Sequence, residues 1–195
     1  LTLEQMSDGR LAVGGSTRYD YMVTYAELDG SAVGTSVLDF SLQTAEHRLI
    51  ALGDTQFLVY EDDYFSSPWS TEQTHFIELQ RLDDEGLAVE TLRLHEFAPE
   101  VDVSYSSVAR LDADRLAIAA ATDDGVVHLI QYDETTGSST HRALELPFNG
   151  QFYNNYLSLI EDPSGGAWLS FELLAGSGAE ASPHSGHAYT VFLDA

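Results

Sequence analysis

The chain has 195 residues, 44% of them hydrophobic and 11% aromatic, the make-up of a globular protein able to build a real core. Its charge is extreme: 32 acidic residues stand against 8 basic ones, all of them arginine, for a formal net charge of -24. That balance argues against nucleic acid and against an anionic membrane surface, both of which need cationic protein, and it fits a halophilic surface kept soluble by its acidity.

Short apolar runs separated by Gly, Asp, Ser or Pro follow one another along the whole sequence, which is the pattern of strands and turns. The first four run over Leu1 to Met6, Arg10 to Gly15, Tyr21 to Leu28 and Thr35 to Phe40. The next four run over His47 to Leu52, Gln56 to Glu61, His75 to Leu82 and Val89 to Phe97, the last alternating cleanly between apolar and polar residues. A third set covers Ser107 to Leu111, Arg115 to Ala120, Val126 to Tyr132 and Arg142 to Phe148. The fourth set, Tyr156 to Ile160, Ala167 to Glu172 and His187 to Leu193, lacks an outer member. No stretch of about eleven residues holds a helical stripe.

One phrase recurs through these sets. A polar turn enters an apolar strand at Ser7-Asp8-Gly9, at Gly53-Asp54-Thr55, at Asp112-Ala113-Asp114 and at Asp162-Pro163-Ser164-Gly165-Gly166. A later strand ends in hydrophobic-Asp at Asp29, Asp83, Asp133 and Asp194, which lie 54, 50 and 61 residues apart. Repeats of this size made of short strands predict an all-β chain, a β-propeller of four visible blades in a single domain over 1–195. The blades fall at 1–41, 47–97, 106–148 and 156–195, and the last has an open edge that could take a strand from another chain. The first blade, with Gly14-Gly15 closing its second strand, resembles a kelch-type repeat. The third is similar from Gln131-Tyr132-Asp133 through Thr136-Gly137 to Leu146-Pro147. The phrase Asp8 to Val13 resembles that of related bacterial propeller repeats, and Asp162 to Trp168 resembles the aspartate box of sialidase-type propellers with one extra residue before the glycine. That last resemblance implies a structural turn, and no counterpart of the family's arginine cluster is evident.

In such blades successive strands reverse, so one face of the disc collects short acidic turns and the other collects the long connections. Turn chemistry accounts for the acidic set, because Asp hydrogen-bonds its own backbone and Gly tolerates positive φ. Calcium is the one cofactor those carboxylates could hold, although none of them matches the twelve-residue calcium loop, and no cofactor or metal site is otherwise expected. The opposite face carries Asp62 to Ser70, the Gly-, Ala- and Ser-rich stretch Ala175 to Gly186, and two inter-blade segments. The candidate binding residues sit there: Tyr64, Phe65, Trp69, Tyr105, Phe152, Tyr153, Asn154 and Asn155. Flat aromatic faces beside amides are the chemistry of a sugar- or peptide-binding rim.

Arg48 and Arg110 fall on first strands and are expected to pair with nearby carboxylates. With no cysteine there are no disulfides, thiolate metal sites or thiol nucleophiles. No run of about 18 apolar residues is present, so no membrane insertion is expected. The sequence opens on Leu1 without a signal-peptide pattern, which suggests a matured chain or an excised piece. Without a recognisable catalytic motif, the expectation is a non-enzymatic binding or scaffold propeller. It would present its aromatic loop face to a protein or glycan and work in an extracellular or envelope assembly. The alternative is a carboxylate-based hydrolase or lyase acting on a carbohydrate.

Overall fold

The computed structural model describes residues 2–6, 8–16, 20–39, 47–53, 55–65, 73–99, 101–144, 151–174 and 186–194. Among them all regular structure is β: fifteen strands in four antiparallel sheets. The chain divides into two compact units, Leu1–Ala98 and Pro99–Ala195.

The first unit holds two four-stranded blades. Blade 1 is β1 (Thr2–Gln5), β2 (Leu11–Ser16), β3 (Asp20–Ala26) and β4 (Ala32–Asp39); blade 2 is β5 (His47–Leu52), β6 (Thr55–Phe65), β7 (Gln73–Leu82) and β8 (Ala88–Glu96). Strand alternation sends one side of blade 1 against blade 2, so that Ala12, Tyr21, Val23 and Tyr25 pack on Leu49, Ala51, Leu58 and Leu82. A buried carboxylate on β7, Glu78, is matched by its cross-strand partner Arg93, whose Nε donates to it at 2.8 Å while the guanidinium lies 3.6 Å from the centre of the Phe76 ring.

The second unit repeats the arrangement. Blade 3 is β9 (Val103–Arg110), β10 (Arg115–Thr122), β11 (Val127–Asp133) and β12 (Ser138–Leu144). Blade 4 is β13 (Gln151–Glu161), β14 (Ala167–Leu174) and β15 (Gly186–Leu193), three strands among the described residues. Ala117, Ala119 and Ala121 of β10, with Val127 and Leu129 of β11, meet Leu157, Leu159, Leu169 and Phe171 of blade 4. Small residues on β10 let the next sheet approach closely, and the larger partners fill the gap from the other side.

One turn recurs through the blades, at two copies of the polar phrase and at three other hairpins, while the Asp112 copy closes Leu111 to Arg115 without a glycine. Met6 N–H donates to Arg10 O at 2.8 Å, and Gly9 N–H donates back to Met6 O at 3.0 Å. The same pair of bonds closes Glu27 to Ser31, Asp83 to Leu87, Thr122 to Val126 and Asp162 to Gly166. Each is a three-residue hairpin loop, a type I turn whose last loop residue is left-handed, and glycine stands there every time.

The sequence reading differs from the structure mainly in strand ends. β6 and β7 run on to Phe65 and back to Gln73, so half of the expected Asp62 to Ser70 loop is strand. β9 begins at Val103 and β13 at Gln151, ahead of the expected blade starts at 106 and 156. β12 lies at Ser138–Leu144 instead of Arg142 to Phe148.

Gly86 is the turn position on which most depends. It sits at φ +79, and a Cβ there would lie 2.6 Å from the Tyr25 hydroxyl oxygen. That hydroxyl donates to Gln56 Oε1 at 2.7 Å in the buried seam between blades 1 and 2. Gly86→Ala is therefore expected to destabilise the first unit by about 2–4 kcal/mol, from backbone strain plus a disturbed buried hydrogen bond. Urea unfolding followed by tyrosine fluorescence measures it, with Gly34→Ala, where a Cβ meets open space, as the control.

Candidate functional site

The acidic turns come first because they hold so many of the carboxylates. Asp8 accepts the Arg10 backbone N–H at 2.9 Å and its Nε at 2.6 Å; Asp29 accepts from Ser31; Asp83 accepts from Glu85 and Leu87. Asp112 takes the N–H groups of Asp114 and Arg115 at 3.0 and 2.8 Å, plus the Arg115 Nε at 2.8 Å. Asp162 takes the Ser164 N–H at 2.8 Å and the indole N–H of Trp168 at 2.8 Å. These contacts hold Asp8, Asp29, Asp112 and Asp162 below the usual carboxylate range. For Asp8 the main cause is the Arg10 backbone N–H, and for Asp162 it is the Ser164 hydroxyl. At Asp112 partial burial pushes the other way, and the hydrogen bonds from Arg115 and Asp114 outweigh it.

Two clefts of the second unit carry both an arginine and a carboxylate. The smaller, ≈ 360 Å³, lies between the turns of blades 3 and 4 and is lined by Arg110, Asp112, Glu161 and Asp162. Arg110 grips Glu161 in a forked pair, with contacts of 3.1 to 3.2 Å that join the innermost strands of the two blades. This is the carboxylate partner expected for Arg110. Glycoside hydrolysis needs one carboxyl kept protonated as the acid. Asp112 and Asp162 are pushed in the opposite direction, so this cleft reads as a rivet between blades.

The larger cleft, ≈ 540 Å³, is lined by Gln131 and Leu129 of β11, Thr140, His141 and Arg142 of β12, and Phe192, Leu193 and Asp194 at the end of β15. Register puts Gln131 opposite Thr140 and Leu129 opposite Arg142, so these four side chains share the side of blade 3 that faces blade 4. An amide, a hydroxyl, a guanidinium and a carboxylate thus line one cleft. Such a site can orient a polyhydroxylated ring, and its guanidinium suits an anionic substituent. Among the described residues it offers one carboxylate, not a pair.

Of the residues singled out in the sequence, Trp69 lies outside the described residues. The other seven are described in backbone only: Tyr64 and Phe65 on β6, Tyr105 on β9, and Phe152, Tyr153, Asn154 and Asn155 on β13. The expected loop placement is corrected for these seven, because ladder pairing continues past the expected strand ends, as at Tyr64 with Thr74 and Phe65 with Gln73. The register between β13 and β14 shifts between Phe152 and Leu157, so Tyr153, Asn154 and Asn155 fall in an irregular stretch of the strand. Sequence reasoning passed over Gln131, Thr140 and Asp194, which look like ordinary strand and turn residues until two blades bring them together.

No family model matches the chain, and no curated protein matches it. Solved structures do. The K499G mutant of NanB sialidase from Streptococcus pneumoniae matches over 98% of this chain with a TM-score of 0.57 at 12% identity, and NanB with Optactamide matches over 98% with 0.56 at 13%. The fold is a β-propeller. The chain spans 30% of the length of those structures. The expectation that the protein is not an enzyme is corrected, because the propeller that matches over nearly the whole chain belongs to a sialidase. A propeller draws its site from side chains of several blades, so a missing contiguous motif is no ground for excluding catalysis. No family model supports the kelch-type likeness.

His141, at the edge of the larger cleft, stacks on His128 with ring centroids 5.1 Å apart and a 2.9 Å contact between Nδ1 and Nε2. Burial pushes both imidazoles below their ordinary value of 6.5, and at His128 the neighbouring imidazole adds to the effect. A depressed folded-state value means that the unfolded chain binds the protons first, so stability present above pH 6.5 is lost as pH falls below it. The melting temperature should fall through that window, and His141→Asn should flatten the fall. An unchanged pH slope in the variant would remove the pair as its cause.

Proposed function

We propose that this chain is a propeller of the carbohydrate-hydrolysing kind, with the larger cleft of the second unit as the place where a glycan is recognised. The observation that carries the reading is the fold match to a sialidase across 98% of the chain. The cleft supports it with directional hydrogen-bonding groups, Gln131, Thr140 and Asp194, set beside Phe192 and Arg142. Glycoside hydrolysis is the reaction class that this reading implies. An extracellular or envelope setting in saline surroundings belongs to the same reading and rests on the acid-rich, cysteine-free composition. The kelch-type character of the first and third blades is likewise part of it, resting on Gly14-Gly15 and on the run from Gln131 to Leu146.

The test is release of 4-methylumbelliferone from a panel of aryl glycosides that includes neutral hexosides, uronides and a sialoside, at low and high salt. Turnover of at least one member is expected, with a bell-shaped pH profile from an essential acid and an essential base. Arg142→Ala should raise KM for an anionic glycoside about tenfold, the usual scale of one charge-assisted contact. A chain that neither cleaves any member nor binds any of the parent sugars overturns the reading.

A further inference from the structure

Blade 3 brings two histidines into contact on adjacent strands. His128 of β11 stands opposite Ala143, and His141 of β12 stands opposite Ile130, so the two occupy one diagonal on the same side of the sheet. Nδ1 of His128 lies 2.9 Å from Nε2 of His141, and the ring planes differ by 12°. One of these nitrogens donates and the other accepts, so a single proton is shared across the contact. The neighbours of the pair on that side are apolar: Ile118 and Ala120 of β10, Ile130 of β11 and Ala143 of β12.

A hydrogen bond between two neutral rings stabilises little once their lost water contacts are counted, and it leaves both rings in an apolar setting. A divalent ion makes fuller use of the same two nitrogens. Metal–imidazole bonds measure about 2.0–2.1 Å, and two nitrogens bonded to one ion at a right angle then lie about 2.9 Å apart. The pair already stands at that spacing. To meet an ion a ring must turn its lone pair, and Ala120 and Ala143, which flank His128 on the two neighbouring strands, leave room for the turn. A carboxylate lies within reach as well. Asp124, in the hairpin that leads into β11, is close enough for its charge to act on His128. Its Oδ1 accepts the Thr122 hydroxyl at 2.6 Å and the Val126 N–H at 3.3 Å, which holds the carboxylate in place. A positioned carboxylate beside a ligating histidine completes or orients the ligand set.

We propose that His128 and His141 form a binding site for a divalent transition-metal ion. The ion takes the place of the shared proton between the two nitrogens, and the ring that donated it carries it on its other nitrogen instead. Asp124 serves as an oxygen ligand or as the orienting partner of His128, and water completes the coordination. Imidazole nitrogen favours ions of the Zn²⁺, Ni²⁺ and Cu²⁺ kind over Ca²⁺ and Mg²⁺, which take oxygen. The bound ion ties β12, the outermost strand of the blade, to β11, and an ion that binds only the folded chain adds to its stability. The inference stands apart from the carbohydrate reading, although His141 also lines the larger cleft.

The experiment is calorimetric titration of the whole chain, stripped with EDTA and dialysed, with Zn²⁺ and with Ni²⁺ at about pH 7.5, where imidazole is neutral. Excess Mg²⁺ in the buffer occupies exposed carboxylates and leaves the imidazoles available to the added ion. One equivalent of metal should bind saturably, and the melting temperature should rise with metal concentration. His128→Asn and His141→Asn should each weaken binding at least about tenfold, and the double variant should lose little more, because either change removes the same site. Asp124→Asn should weaken it by a smaller factor. Should an asparagine variant fail to fold, the unaltered chain supplies the readout: Zn²⁺ should shield both His128 and His141 from carbethoxylation, followed residue by residue by mass spectrometry. Saturable binding that survives both His128→Asn and His141→Asn overturns the site, and so does carbethoxylation of the pair at the same rate with and without Zn²⁺. A chain that binds neither ion in excess Mg²⁺ overturns it outright.

Discussion

Close stacking of one sheet on the next is the constraint from which the rest of this structure follows. Blade 1 meets blade 2 through Ala12, and blade 3 meets blade 4 through Ala117, Ala119 and Ala121, side chains too small to hold the sheets apart. The opposing sheet supplies Leu58 in the first unit and Leu157, Leu159 and Leu169 in the second. The volume that one strand gives up, its neighbour fills, and core density is kept. Side chains that cannot fit this scheme are pushed to strand ends and blade edges, where the clefts form.

The same constraint explains how so acidic a chain can fold. With the sheets apolar on their packed sides, the carboxylates gather at the hairpins, and many have work there. Asp8, Asp29, Asp83, Asp112, Asp133 and Asp162 each accept at least one backbone N–H within their own turn. At Asp8, Asp29, Asp112 and Asp162 these contacts favour the ionised carboxylate, so those turns are most secure where its charge is fully expressed. Self-repulsion is the counterweight, and dissolved salt screens it between exposed groups while leaving the short turn contacts in place.

Much of the architecture was legible because both signals are local. β5 was read with its bounds unchanged, and the Asp-Gly turns were read from the residues that left-handed backbone demands. β12 was misplaced because Ser138 to Arg142 is solvated on both sides and carries no apolar alternation. β13 was shortened because Tyr153-Asn154-Asn155 reads as a turn, yet the strand carries it across a register shift. The site was the illegible part. Arg110 finds Glu161 across 51 positions, and Gln131 meets Asp194 only where two blades adjoin. Separations of that size leave no spacing to recognise, and an acid-rich chain offers many carboxylates with nothing in the sequence to rank them.

Asp162 shows how one turn can serve both needs. In blades 1 and 3 other turn carboxylates, Asp8 and Asp112, are met by the guanidinium groups of Arg10 and Arg115, and the strands beyond carry Ala12 and Ala117. In blade 4 the turn is kept, but its side-chain donor is the indole of Trp168, which stands where the alanine would be. Arg10 and Arg115 stand where blade 4 has Gly166, so in blade 4 the donor comes from two residues further along the strand. Gly166 in turn leaves room for the Phe192 ring against which the indole lies. The turn keeps its side-chain hydrogen bond through a different residue, and the aspartate that accepts it is held by the same kind of contact in each of these blades, which is what a structural turn requires.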